Sequence, residues 1–182
     1  MFTLIITGAE YYDEETEQFN TFDDIVLELE HSLAALSKWE TKFGKPFLGS
    51  ETKTDEEVKG YIEAMMLTPT FSTDMFSKFT KKNYDDINDY IGSPQSATTF
   101  VETRQDKARR AGETVTSELI YFWMVSYNVP FECENWNLNR LFALLRICGI
   151  KNSKEKKMSK SEIAARNREI NAARRSQLGT SG

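Results

Sequence analysis

Residues 117–152 read SELIYFWMVSYNVPFECENWNLNRLFALLRICGIKN, and this stretch decides the fold. Leu119, Ile120, Phe122, Trp123, Met124 and Val125 would surround a helix on most sides. Such a helix is buried, either in the domain core or in an oligomer. Thr114 is its expected cap and Tyr127 its expected end. Asn128-Val129-Pro130 stops it, because proline cannot continue a helix. Asn135 is then a cap candidate for a second helix reaching Cys148, with Gly149 as its stop. Trp136, Leu138, Leu141, Phe142, Leu144, Leu145 and Ile147 supply its apolar face. Two apolar helices over 114–127 and 135–148, joined by a short proline-containing link, predict an antiparallel helical hairpin. The core is expected to centre there, with Trp123, Trp136, Leu141 and Leu145 buried.

Toward the N-terminus the signals are mixed. Phe2–Thr7 (FTLIIT) and Ile25–Leu29 (IVLEL) read as strands that pair with each other or with a partner's edge. The acidic, Tyr-containing residues 8–21 read as their connection. Ser32 predicts a helix cap, with Leu33, Leu36, Trp39 and Phe43 at helical spacing and Gly44 as the stop. Thr54 and Glu57 form a capping box ahead of Val58, Tyr61, Ile62, Met65 and Met66. Residues 73–80 and 84–91 read as two short helices capped by Asp74 and Asn83, the second with Ile87, Tyr90 and Ile91 as a narrow apolar face. A Ser/Thr-rich break at 92–99 and a basic loop or frayed turn at 104–112 complete this half.

Toward the C-terminus a polar linker (KNSKEKKM, 151–158) leads to a second capping box, Ser159 and Glu162. It predicts a helix from about Lys160 to Leu178, ended by Gly179. Ala164, Ala165, Ala172 and Ala173 favour that helix, but only Ile163, Ile170 and Leu178 are large and apolar. So thin a stripe anchors weakly to its own domain, and exposed helices of this kind order against partners. The fold class is therefore mainly α: a compact helical domain over 1–150 with a minor N-terminal β element, then a basic linker and an extending C-terminal helical arm over 151–182.

Charge divides at the same place. Residues 151–182 hold nine Lys or Arg and three Glu, a formal +6; the whole chain carries −5, leaving −11 for the first 150 residues. Nine acids precede Lys38, the first basic side chain. An acidic body with a basic tail can pair head to tail with a copy of itself, grip an acidic partner, or remain two solvated surfaces. The basic tail also admits nucleic acid, but the body's −11 opposes a polyanion and no helix-turn-helix or aromatic RNA platform is evident. Within 182 residues, 40% of them hydrophobic, no apolar run reaches the roughly 20 residues of a membrane span. The opening MFTLIITGAEYYDEE lacks the basic start of a secretion signal, and two thiols beside apolar stretches suit a reducing cytoplasm.

Chemistry-bearing patterns are sparse. One His and two Cys do not fill a zinc site. His31 sits at a strand–helix junction, where a lone imidazole is usually structural. Glu132 and Glu134 flank Cys133 and disfavour its thiolate. Asp85, Asp86 and Asp89 do not match a calcium loop and read as a solvated helix face. Phosphate-binding glycine motifs are absent from the sequence. The expectation is a non-enzymatic protein without catalytic, cofactor or metal residues, whose arm binds protein through Arg166, Arg168, Ile170, Arg174, Arg175 and Leu178.

Three stretches carry a resemblance: LELEHSLAALSKWETKFGKPFLG (27–49), SELIYFWMVSYNVPFECENWNLNRLFALLRICGIKN (117–152) and KKMSKSEIAARNREINAARRSQLGTSG (156–182). Together they resemble small proteins encoded among the virion-assembly genes of tailed bacteriophages. The resemblance implies first a tail assembly chaperone, which binds the tape-measure protein and helps tube subunits polymerise around it in the host cytoplasm. Its alternative is a permanent virion component of the head–tail connector or tail. Either role implies phage tail or virion partners and no cofactor; a homo-oligomer fits both, and from charge and composition no membrane is expected and nucleic-acid binding is the less favoured reading.

Overall fold

The computed structural model describes residues 1–8, 10–13, 17–21, 23–49, 51–68, 73–100, 114–152 and 160–178. Strands β1 (Phe2–Ile6) and β4 (Ile25–Leu29) pair antiparallel, Phe2 opposite Leu29 and Ile6 opposite Ile25. The strand pairing is thus internal. Alternation places Leu4, Ile6, Leu27 and Leu29 in the core and Thr3, Ile5, Val26 and Glu28 outside. The stretch expected to be a plain connection holds a second ladder, β2 (Glu10–Asp13) against β3 (Gln18–Thr21). Paired residue numbers add to 31 in both ladders, so the second extends the first without a register shift. It escaped the sequence reading because Tyr12 and Phe19 do not form a core face. Tyr12 and Phe19 pair across the strands at 5.1 Å while remaining exposed.

The outer edge of β4 is covered by the end of the second helix. Glu30 N–H donates to Met65 O, and Leu67 N–H to Glu28 O, each at 2.9 Å. Helix α3 (Lys81–Gly92) packs on the ribbon's core face, where Phe2 stacks on Tyr90 at 5.0 Å.

Six α-helices follow the ribbon among the described residues. Helix α1 (Leu33–Phe43) starts at Ser32, whose hydroxyl accepts from Ala35 N–H, and ends at left-handed Gly44. Helix α2 (Asp55–Met65) opens on the expected Thr54–Glu57 box. A 3-10 turn occupies Thr73–Lys78, so Asp74 lies inside it rather than capping an α-helix. Helix α3 (Lys81–Gly92) begins earlier than expected: Thr80 is the cap, and Asn83 answers it from the third helical position. The basic stretch 104–112 lies outside the described residues.

Helix α4 spans Ser117–Ser126 and is capped by Thr116 instead of Thr114. A 3-10 turn at Phe131–Asn135 takes up the stretch where Asn135 was expected to cap. Helix α5 (Leu138–Asn152) starts after Asn137, whose Oδ1 accepts from Asn139 N–H at 3.0 Å. It runs through Gly149 and two residues past the boundary placed at 150. At Gly149 a Cβ would lie 3.1 Å from the Tyr127 hydroxyl oxygen, a tight contact that the tyrosine would have to yield to. Helix α6 spans Lys160–Leu178. Its expected cap Ser159, most of the linker and its expected stop Gly179 fall outside the described residues.

The core centres on α1 rather than on the α4/α5 pair. One cluster gathers the ribbon, Ala35, Trp39, Tyr61, Ile62, Met65, Ile87 and Tyr90. The other joins Leu33 and Leu36 to Ile120, Met124, Leu138, Leu141 and Leu145. Trp39 is fully buried, and its indole N–H donates to Glu57 O at 2.8 Å. Of the four residues expected at the centre, Leu141 and Leu145 are buried and Trp123 half-buried. Trp136 is 36% exposed, with the Arg140 guanidinium over its ring at 4.3 Å. It precedes α5 at the end of the 3-10 turn, where the chain turns the indole outward.

Candidate protein-binding surfaces

The polar groups inside the fold are tied to one another. His31 is buried, and its Nδ1 hydrogen-bonds the Tyr61 hydroxyl at 2.6 Å. Its carbonyl accepts from Leu138 N–H at 2.7 Å, joining the strand–helix junction to the start of α5. Burial lowers the imidazole pKa from 6.5 to about 4, outweighing the neighbouring Glu30 charge. Burial also raises Tyr61, and it lifts Tyr90 to about 12 with help from its bond to Glu30. Around neutral pH this cluster is an uncharged imidazole among protonated phenols.

Two buried carboxylates staple distant elements. Glu30 accepts from the Tyr90 hydroxyl and from Asn137 Nδ2, and it pairs with the Met1 amine. Glu40 accepts from Phe47 N–H at 2.9 Å and from Ser117 N–H at 2.7 Å. Ser117 opens α4, so this carboxylate sits at the positive end of that helix. Asn139 Nδ2 donates to the carbonyls of Ile91 and Ser93, closing the end of α3. Sequence reading gave none of these a role, since nearly all the pairings, Tyr90 with Glu30, Ser117 with Glu40 and Ile91 with Asn139 among them, join residues far apart along the chain.

Cys133 is buried, and burial followed by the Glu132 charge pushes its thiol pKa up. Two surface depressions, one between β1 and α3 and one beside Lys42, Lys59 and Glu63, include neither His31 nor Cys133. Asp85 and Asp89 are exposed on α3, and no cluster of His, Cys, Asp or Glu suited to a metal occurs among the described residues. No helix among them is long and apolar enough to cross a membrane.

The arm has two faces. Arg166, Ile170 and Arg174 are four residues apart and share one side of α6 with Ile163. Arg168 and Arg175 lie opposite. All four arginines are exposed, whereas Ile170 and Ala173 are half-buried. The six residues expected to bind protein are thus divided, and only Arg166, Ile170 and Arg174 form a contiguous row. Leu178 ends the helix.

A second surface lies on α4. Its buried side is only Ser117, Ile120 and Met124. The expectation of a helix covered all round holds for one face: Phe122 is 64% exposed and Val125 59%. Phe131, 57% exposed, adjoins them through Tyr121, whose ring centroid is 6.3 Å from its own. Tyr121 also donates to Glu134 at 2.6 Å. Glu118 precedes Phe122 by one helical turn, and Glu132 follows Phe131 directly. The surface is an apolar strip edged by carboxylates.

No protein-family description, curated protein or solved structure matches this chain.

Proposed function

We propose that this chain is a non-enzymatic protein of tailed-phage morphogenesis that works through protein–protein contacts, and that its role is that of a tail assembly chaperone. The observation that carries the reading is α6: a 19-residue helix whose described side chains are almost all exposed, with four outward arginines. A helix with so little apolar surface gains its order and its purpose from a partner. Arginine forks suit carboxylates on that partner, which in this reading is the tape-measure or tail-tube protein. The three resembling stretches support the phage setting, and two of them supply α4, α5 and α6.

Mass spectrometry of purified mature virions tests the role. A chaperone acts in the host cytoplasm and is missing from the particle. Fixed stoichiometric copies in the particle would instead make it a connector or tail component. Salt-sensitive DNA affinity that disappears on removing 151–182 would move the arm's partner to nucleic acid.

A further inference from the structure

We infer that α6 of one copy docks on the α4 face of a second copy, so that the protein self-associates by exchanging arms. The inference rests on the reading of α6 as a partner-binding arm and names one occupant of it.

The two surfaces complement each other in charge and in apolar content. From Ser117 to Asn139 the chain has three carboxylates, Glu118, Glu132 and Glu134, and no Lys or Arg. Phe122, Val125 and Phe131 stand exposed among them. On α6, Ile163 and Ile170 lie on the same side as Arg166 and Arg174. One surface is therefore apolar with an acidic rim, and the other apolar with a basic rim. Ile163 to Ile170 spans about 10.5 Å of helix, as does Glu118 to Val125. In the single chain Phe122 and Val125 of the α4 strip are well exposed, and so is Ile163 on α6. Exchange between copies covers the α4 strip and gives each arginine row a carboxylate rim, as helix-in-groove contacts do. It also joins the −11 body of one copy to the +6 tail of the next.

Light scattering coupled to size exclusion, on the full chain at about 100 µM, reads the outcome. The wild type should be a dimer or larger closed oligomer. Phe122→Ser with Val125→Ser, or Ile170→Asp with Arg174→Glu, should each weaken association by at least about tenfold. Mixing these two variants should restore a 1:1 heterodimer, because one intact face and one intact arm remain. Glu118→Arg should weaken the wild type and regain association opposite Arg174→Glu. Hydrogen exchange at α4 in the unaltered protein should slow on concentration, which needs no variant to fold.

A monomer at that concentration, or an oligomer indifferent to both variants, overturns the inference. So does α4 protection that is independent of concentration, the mark of an arm folded back on its own body. A monomer that still captures the tape-measure or tube protein through α6 would sink arm exchange alone. An arm-dependent oligomer with no affinity for tail proteins would sink the chaperone reading alone.

Discussion

The Tyr90 hydroxyl donates to Glu30 Oε1 at 2.5 Å, closing a loop of 60 residues between the end of the β ribbon and α3. Asn137 Nδ2 reaches the same pair, at 3.4 Å from the carboxylate and 3.3 Å from the phenol. Three elements therefore meet at one buried anion, and removing a partner leaves an unsatisfied polar group behind.

Tyr90→Phe should cost about 1–2 kcal/mol in urea unfolding, the usual effect of deleting a hydrogen bond to a charged group. Glu30→Leu should cost more, because it leaves the buried Tyr90 hydroxyl proton without its acceptor and removes one of the Asn137 amide's two acceptors. In a double-mutant cycle the two changes should couple strongly. Additive effects would show that the short contact contributes nothing of its own.

Gly60 tests how closely α1 and α2 pack. A Cβ there would come within 2.7 Å of the Phe43 ring, itself 4.9 Å from Trp39 by ring centroids. Helix propensity alone predicts that Gly60→Ala stabilises by about 1 kcal/mol. The clash should reverse the sign, giving a net loss of about 1 kcal/mol as Phe43 is displaced. Phe43→Leu in the same chain should recover the propensity gain. Thermal melts of the wild type and these two variants decide whether space or backbone entropy governs the position.

Acid should loosen the fold through His31. The folded imidazole has a pKa of about 4 and the unfolded one its ordinary 6.5, so between those values only the unfolded chain binds the proton. Stability should fall as pH drops from 6.5 toward 4, with no contribution from this group above that window. The full effect approaches about 3 kcal/mol. His31→Asn keeps a polar atom for Tyr61 and cannot titrate. Its unfolding midpoint should be flatter over that window, although carboxylates such as Glu57, whose pKa is lowered chiefly by Lys45, add their own acid sensitivity. An equal slope in both proteins would remove His31 as the cause.

What the sequence disclosed was local. Ser32 with Gly44, and Thr54 with Glu57, bracket or open helices by contacts within a turn, so their residue types announce them. The strands at Phe2 and Ile25 announced themselves by β-rich composition. Their pairing emerged only when the ribbon folded, and Tyr12 and Phe19 gave no core-facing pattern to mark β2 and β3. The core was misplaced because aromatic density in 117–152 outweighed α1. Yet Trp39 is fully buried and Trp136 is not, since α1 contacts both clusters while Trp136 lies at a turn. Glu30 was one of the nine acids ahead of Lys38, and no sequence pattern singled out Glu40. Their burial depends on donors 60 to 107 residues away, from Tyr90, Ser117 and Asn137, a relation that spacing along one chain does not encode. On the arm, the sequence reading groups all four arginines as one binding set, and the helix divides them, with Arg168 and Arg175 opposite Arg166 and Arg174.

Cutting the chain after Asn152, where α5 ends, separates the arm's two possible roles. Neither core cluster contains a residue of α6. Most of the apolar burial that sets the melting temperature therefore survives the cut, and the shift should stay within about 2 °C. The body left behind loses a formal +6 apart from Lys151 and should become strongly acidic. Binding to tape-measure or tube protein should disappear at the same time. A truncated chain that melts far lower would place α6 among the supports of the fold. One that retains full partner binding would move the contact to the body, where the Phe122 strip is the exposed apolar surface to test next.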